Sequence, residues 1–528
     1  MFRSRYPDVE IPDVSIHDYL FADLDGEALD RIAIVDGATG AETTYRQLVA
    51  QIGLFAGALA ARGIGIGTRV GVLCPNVPAF ATAFHGILRA GATATTINSL
   101  YTAEEIANQL EDAGADWLVT VSPLLPGARE AVARRGIPAD HLIVLDGVAG
   151  HPSLGDLLGE GHAAPDVGFD PATHLAVLPY SSGTTGRPKG VMLTHRNLVA
   201  NVAQLRPVLD VRGADRVLAV LPFFHIYGMT VLLDFALRQR AGLVTMPKFE
   251  LAEFLRVIAA HRTTWVFVAP PIAVALAKHP IVDQYDLSSV RVIFSGAAPL
   301  DGALAAAVAA RLDCQVVQGY GMTETSPVVS LIPADRTEID RSSIGPLVPN
   351  TEARLVDPDA GTDIAPPDEG ASAPGELWVR GPQVMAGYLN RPEATAEMRD
   401  ADGWLHTGDI ATATADGVFR IVDRLKELIK YKGYQVAPAV LEAVLLEHPS
   451  IADAAVVGAA DEDGQEVPKA FVVRQPDAEL SAGDVMAFVA ARVAPHEKVR
   501  QVEFIDVIPK SSSGKILRKN LREVGKHL

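Results

Sequence analysis

Val290-Arg-Val-Ile-Phe294, the alanine-rich Ala303-Leu-Ala-Ala-Ala-Val-Ala-Ala310, and then Gln315-Val-Val317 form the stretch that decides the fold. Short β-branched and aromatic runs bounded by turn formers read as buried strands. A run of helix formers between two of them reads as the crossover of a βαβ unit. The same alternation extends back through Arg69 to Leu73, Trp117 to Val121, Leu142 to Leu145, Leu175 to Leu178, Val217 to Leu221 and Trp265 to Val268. It predicts an α/β fold with two parallel-type sheets flanked by helices over roughly the first 350 residues.

Downstream the pattern changes. Asp357 to Pro374 is dense in Pro, Gly, Asp and Ala and reads as a surface excursion, while Gly375 to Arg380 and Val418 to Asp423 read as strands of a small β-rich subdomain. A second rhythm begins near Leu425. It predicts helices at Pro438 to Leu446 and Ser481 to Val493 and strands at Ala454 to Gly458 and Lys469 to Val473. The expected division is a large N-terminal body of several subdomains, residues 1–423, and a small C-terminal α+β domain, residues 424–528.

Composition narrows the function. Of 528 residues, 46 are Lys or Arg and 64 Asp or Glu, a net charge of −18, and such a surface repels nucleic-acid backbones. Cys74 and Cys314 are the only cysteines, too few for a disulfide framework or a four-thiolate zinc site. The N-terminus has no apolar run behind Arg3 and Arg5, and no uninterrupted apolar stretch reaches the roughly 18 residues of a membrane span. A cytoplasmic location is expected.

Five segments carry chemistry. Tyr180-Ser-Ser-Gly-Thr-Thr-Gly-Arg-Pro-Lys-Gly190 packs hydroxyls, glycines and a lysine behind a strand, the makings of a phosphate cradle. It is not the Walker-type P-loop, because Lys189 is followed by Gly190 rather than Ser or Thr. Gln318-Gly-Tyr-Gly-Met-Thr-Glu-Thr-Ser-Pro327 offers Tyr320 as a flat face for a base, Thr323 as a phosphate donor and Glu324 as a hard ligand for Mg²⁺. Gly403 to Asp409 places a carboxylate behind a glycine turn, where it could accept two ribose hydroxyls. Asp423 to Pro438 lies on the expected boundary, and Lys510-Ser-Ser-Ser-Gly-Lys-Ile-Leu-Arg-Lys519 is a basic, glycine-hinged strip in an acidic chain. Taken singly, each reads as a turn, a wet linker or a frayed tail.

Together, in this order, they resemble the adenylate-forming superfamily over essentially the whole chain. Phe2-Arg-Ser4, Pro222-Phe-Phe-His-Ile-Tyr227, Ser295-Gly-Ala-Ala-Pro-Leu300 and Val422 to Pro438 narrow the likeness to the 4-coumarate:CoA ligases. That resemblance implies an ATP-dependent acid:CoA ligase. A carboxylic acid attacks the α-phosphorus of Mg-ATP, pyrophosphate leaves, and coenzyme A then displaces AMP from the acyl-adenylate.

It also implies roles. Ser181, Ser182, Gly183, Thr184, Thr185 and Lys189 would hold the β- and γ-phosphates, with Glu324 on Mg²⁺. Gln318, Gly319, Tyr320 and Thr323 would seat adenine and the α-phosphate, and Asp409 with Arg424 the ribose. Lys515 corresponds to the catalytic lysine between acid and α-phosphate. Lys430 and Gln435 would act around the adenylate and thioester step, and Lys432, Gly433 and Lys248 would meet CoA. The C-terminal domain would turn about Lys426 between the two half-reactions. His225, Tyr227, Phe294, Ala297, Gly321, Pro327 and Val328 would line the acid pocket. Plant enzymes of the family commonly carry lysine where this chain has Phe294, which leaves cinnamate, another aromatic acid and a medium- or long-chain fatty acid open beside hydroxycinnamate. A non-catalytic adenylate-binding regulator is the alternative of another class. The resemblance implies a monomer or homodimer.

Overall fold

A computed structural model describes residues 1–181, 188–431, 434–461, 465–476, 478–511 and 514–524. Ser182, Gly183, Thr184, Thr185, Lys432 and Gly433 lie outside the described residues, as does the side chain of Gln435.

The decisive stretch lies within a series of parallel strands. Gln315–Gly321, Val292–Ser295, Trp265–Val268, Arg216–Ala219, Gly242–Thr245 and Ile32–Asp36 lie side by side in that order, and Val328–Leu331 and Glu42–Thr44 close the two edges antiparallel. Every residue of Trp265–Val268 is buried, as expected of a strand covered on both faces. The intervening helix Gly302–Leu312 starts where the Asp301 carboxylate accepts the free N–H groups of Ala303 and Leu304.

A second eight-stranded sheet is built likewise. Leu175–Val177, Thr93–Thr96, Arg69–Leu73, Trp117–Thr120 and Leu142–Val144 run parallel, and Lys189–Thr194 and Gly387–Tyr388 add antiparallel strands at one edge. The helices between the two sheets bury Phe55, Phe80, Phe84, Phe223 and Phe235 in one continuous core. A third, antiparallel sheet joins Glu352–Val356, Gly375–Arg380, Leu405–Ala413 and Val418–Arg424, and Phe2–Arg3 pairs on its edge. Gly375–Arg380 alternates buried and half-buried residues, the pattern of a sheet with one wet face.

The small C-terminal domain has its own core. Leu441, Leu445, Val456, Val472, Val485 and Val489 pack between the strands Ile451–Ala460, Glu466–Arg474 and Gln501–Phe504 and the helices Pro438–Leu446 and Ala482–Ala490. Among the described residues, this core shares no member with the cores of the large body.

Some boundaries differ from the sequence reading. The strand expected at Val290 begins at Val292, because the Val290 N–H closes a turn onto the Leu287 carbonyl. The helix expected to reach Val493 stops at Ala490, ahead of Pro495. Tyr227–Asp234 winds as a π-helix, which its largely apolar run does not announce.

Candidate active site

The parallel strands of the first sheet end together, and an open α/β sheet binds its ligands outside those carboxyl ends. Three ends matter here. Val268 leads into Ala269 and Pro270, Ser295 into Gly296 and Ala297, and Gly321 into the short turn Thr323–Thr325. Ala297 is held at φ +71°, a left-handed conformation that costs a non-glycine residue about 1–2 kcal/mol. The bend turns the chain away from the strand and opens a pocket.

That pocket is lined by His225, Tyr227, Phe294, Ala297, Tyr320, Gly321, Pro327 and Val328 among others, which brings together every residue expected to line an acid pocket. Glycines keep it open. A Cβ on Gly319 would meet the Phe294 ring at 2.7 Å, and one on Gly296 would meet the Tyr227 ring at the same distance. The Tyr227 hydroxyl reaches only the Phe294 carbonyl, at 3.4 Å. His225 Nδ1 accepts the Tyr227 N–H, and burial together with the nearby Lys515 cation lowers its pKa to about 4, so the ring is neutral at pH 7.

Around the mouth stand the charged groups. Asp409, 5% exposed, lies midway along the strand Leu405–Ala413 and pairs in register with Arg424 of the neighbouring strand, whose Nε lies 3.3 Å from Oδ1. The Tyr320 hydroxyl donates to Asp409 Oδ2 at 2.5 Å. Glu324, 3% exposed, accepts the Tyr388 hydroxyl at 2.7 Å. Lys189 Nζ sits 4.7 Å from the centre of the same tyrosine ring. Half-buried Thr323 opens the turn that carries Glu324.

Lys515 comes to this cluster from the other domain. Its hairpin is closed by the Ser511 N–H on the Lys515 carbonyl and by a bridge between Lys510 and Ile516, with Gly514 at φ +84°. Burial, joined by the Arg424 cation and opposed by the Asp409 and Glu324 carboxylates, lowers the Lys515 pKa from 10.5 to about 8. The ammonium thus feels the charges of Arg424, Asp409 and Glu324 and is felt in turn by His225.

Other expected residues sit apart. Gln318 is 2% exposed, and its amide bonds Leu300 N–H, Leu300 C=O and Arg341 C=O, so the nucleotide role expected of its side chain is not open to it. Its work is to fix the turn after Ala297. Lys248 is exposed in the turn after Gly242–Thr245. Lys426 and Lys430 are exposed as well, and Lys426 lies in the turn where Glu427 and Leu428 N–H groups bond the Arg424 carbonyl.

A divalent cation fits Glu324. Its carboxylate is buried and, among the described residues, bonds no lysine or arginine, and no cluster of three His, Cys, Asp or Glu competes for a metal there. Mg²⁺ characteristically takes one or two carboxylates and completes its shell with phosphate and water. Tyr388 was not among the sequence candidates. Its only sequence cue is the Gly387-Tyr388 pair before the turn at Asn390-Arg-Pro392.

The chain matches two family models, AMP-binding enzyme over residues 21–389 and AMP-binding enzyme C-terminal domain over residues 440–515. It is 43% identical to 4-coumarate--CoA ligase 5 of Oryza sativa subsp. japonica, across 99% of this chain and 97% of that enzyme. Among solved structures, ATP-bound MatB from Rhodopseudomonas palustris superposes with a TM-score of 0.87 at 29% identity, covering 98% of this chain and 99% of MatB. The anthranilate CoA ligase AuaEII in complex with anthranoyl-AMP gives a TM-score of 0.87 at 27% identity, covering 97% of each.

Proposed function

Because the chain belongs to the AMP-binding enzyme family and is an ATP-dependent, AMP-forming acid:CoA ligase, we propose that its acid is aromatic, of the cinnamate or hydroxycinnamate type, and that Lys515 performs the adenylation. The observation that carries this reading is the packing of the Lys515 hairpin, through Gly514, against Ala269 at the end of the strand Trp265–Val268, with its ammonium in the field of Asp409, Glu324 and Arg424.

The residues divide the work. A carboxylate is a weak nucleophile facing a highly charged triphosphate, so the first need is to neutralise charge and align the attack. Lys515 reaches the carboxylate and the α-phosphate together, and its compact cation stabilises the charge that builds between them. Asp409 and Arg424 hold the ribose, the Tyr320 ring takes the base, and Thr323 donates to the α-phosphate. Lys189 and the segment from Ser181 onward hold the outer phosphates. Bound at Glu324, Mg²⁺ supplies charge neutralisation of the triphosphate. Neutral His225 stands between acid pocket and nucleotide.

The second half-reaction needs a thiol where Lys515 now stands. Lys430, Lys432, Gly433 and Gln435 would serve that half-reaction, and a turn of residues 424–528 about Lys426 would bring them in as the Lys515 hairpin leaves. Exposed Lys248 would meet CoA phosphates. The reading takes the enzyme as cytoplasmic and as a monomer or homodimer, and no helix of the described residues is long and apolar enough to cross a membrane.

A second reading, a fatty acyl chain, draws support from the apolar lining by Ile226, Phe294, Met322 and Val328. Pyrophosphate release measured with cinnamate, 4-coumarate, benzoate, octanoate and palmitate, with and without CoA, decides between them. The aromatic reading requires cinnamates to be preferred in kcat/KM, and preference for octanoate or palmitate refutes it.

A further inference from the structure

Glu324 and Lys189 come from different sheets, carry opposite charges and lie within reach of one side chain. Glu324 lies in the turn between Gln315–Gly321 and Val328–Leu331, the edge strand of the first sheet, and Lys189 opens the strand Lys189–Thr194 of the second. Two such groups in a half-buried crevice attract each other strongly and would close into an ion pair. A pair of that kind would consume both the carboxylate that fits a metal and the cation that fits a phosphate.

Tyr388 stands at this junction. Its strand, Gly387–Tyr388, pairs with Lys189–Thr194 so that Tyr388 lies opposite Val191, and the Met385 N–H on the Glu324 carbonyl ties the same segment to the Glu324 turn. Its hydroxyl donates to Glu324 Oε1 at 2.7 Å, and its ring face takes Lys189 Nζ at 4.7 Å from the centroid. Only 5% of Tyr388 is exposed. Among the described residues, neither Glu324 nor Lys189 makes a salt bridge with any partner.

We propose that Tyr388 is a positioning residue that gives Glu324 a hydroxyl and Lys189 a ring face, so that the two charges stand ready for metal and phosphate without neutralising each other. The ring face is a weaker partner than a triphosphate and gives Lys189 up to it, while the hydroxyl holds Glu324 Oε1 and leaves Oε2 to a divalent cation. The hydroxyl also orients the carboxylate, and loss of such an outer partner typically lowers metal affinity by about 10–100-fold. The inference rests on the reading of Glu324 and Lys189 given above.

The test uses the full-length protein with a non-hydrolysable ATP analogue, titrated calorimetrically with Mn²⁺ or Mg²⁺ and without metal. Tyr388→Phe keeps ring and shape and removes the hydroxyl. It should weaken metal-dependent analogue binding about tenfold, leave metal-free binding within twofold, and leave thioester formation from supplied acyl-adenylate unchanged. Tyr388→Leu removes both contacts and should weaken binding with and without metal. Wild-type metal-dependent binding by Tyr388→Phe overturns the proposal. So does an equal loss in metal-free binding and in thioester formation, which marks a merely structural residue. Glu324→Gln separates the two levels: if it binds metal and analogue as the wild type does, the metal reading of Glu324 fails first; if it loses metal-dependent binding while Tyr388→Phe does not, the Tyr388 proposal alone fails.

Discussion

A Cβ on Gly514 would lie 3.0 Å from the Cβ of Ala269, so the hairpin that carries Lys515 meets the end of the strand Trp265–Val268 with no room for a side chain. Gly514 is thereby fixed twice, by contact and by its left-handed φ of +84°. The contact belongs to the arrangement in which Lys515 enters the crevice.

Gly514→Ala should therefore damage adenylation selectively. The left-handed conformation alone costs an alanine about 1–2 kcal/mol, and the crowding at Ala269 adds to it. A loss of tenfold or more in acid-dependent pyrophosphate release is expected, with thioester formation from a supplied acyl-adenylate within twofold of wild type. Equal losses in both assays would show that the hairpin serves the fold rather than the closed arrangement.

The lowered pKa of Lys515 gives adenylation a basic limb. Closed, Lys515 holds its proton only below about pH 8; swung out into water it keeps it to its usual 10.5. Between those values the open form binds more protons than the closed one, so rising pH favours closure while removing the charge that closure delivers. In kcat/KM for pyrophosphate release, activity should fall above about pH 8, and thioester formation from supplied adenylate should lack that limb. His225, near 4, contributes none between pH 6 and 8. Lys515→Arg stays charged, so it should be slower but should lose the basic limb; retention of the limb in that variant would assign it to another group.

Legibility followed the strength of local signals. Arg69–Leu73, Trp265–Val268, Gly375–Arg380 and the helix Pro438–Leu446 stand as read, because each has a strong local pattern with clear punctuation. The acid pocket was legible only as a set of family positions, since His225, Phe294 and Val328 are far apart in the chain and meet only through the parallel topology. Gln318 entered as a family position at the nucleotide, and no spacing in the sequence announces that its amide braces Leu300 and Arg341. Tyr388 was invisible for the opposite reason: its partners, Lys189 and Glu324, reach it through cross-strand pairing and a turn that no spacing in the sequence encodes.

The C-terminal domain carries an ion pair whose loss should be felt as stability. Arg518 donates to both Glu442 oxygens, at 2.8 and 2.7 Å, and to the Val456 carbonyl, with about a tenth of each charged side chain exposed. Burial raises the Glu442 pKa and Arg518 pulls it back. Arg518→Ala leaves a buried carboxylate without its cation, which typically costs about 3–5 kcal/mol. In thermal unfolding of the full chain, the transition of the C-terminal domain should drop, and Glu442→Gln combined with Arg518→Met should recover much of the loss. An unchanged transition in Arg518→Ala would mean that the pair is dispensable.

The acid pocket offers a sharper discrimination than overall activity, because its depth is set by one glycine against one ring. A methyl on Gly319 would come 2.7 Å from Phe294 Cζ and 3.0 Å from Leu331 Cβ, both buried, so neither can retreat. Gly319→Ala should raise KM for cinnamate tenfold or more. Phe294 also sets chemistry: its ring gives a distal hydroxyl no partner, and an unpaired buried hydroxyl costs about 1–3 kcal/mol. Wild type should thus prefer cinnamate to 4-coumarate, and Phe294→Ala should narrow that preference while admitting larger acids, read as kcat/KM ratios across the panel. A wild-type preference for 4-coumarate would place a polar partner at the pocket's end and remove Phe294 from the role of selector.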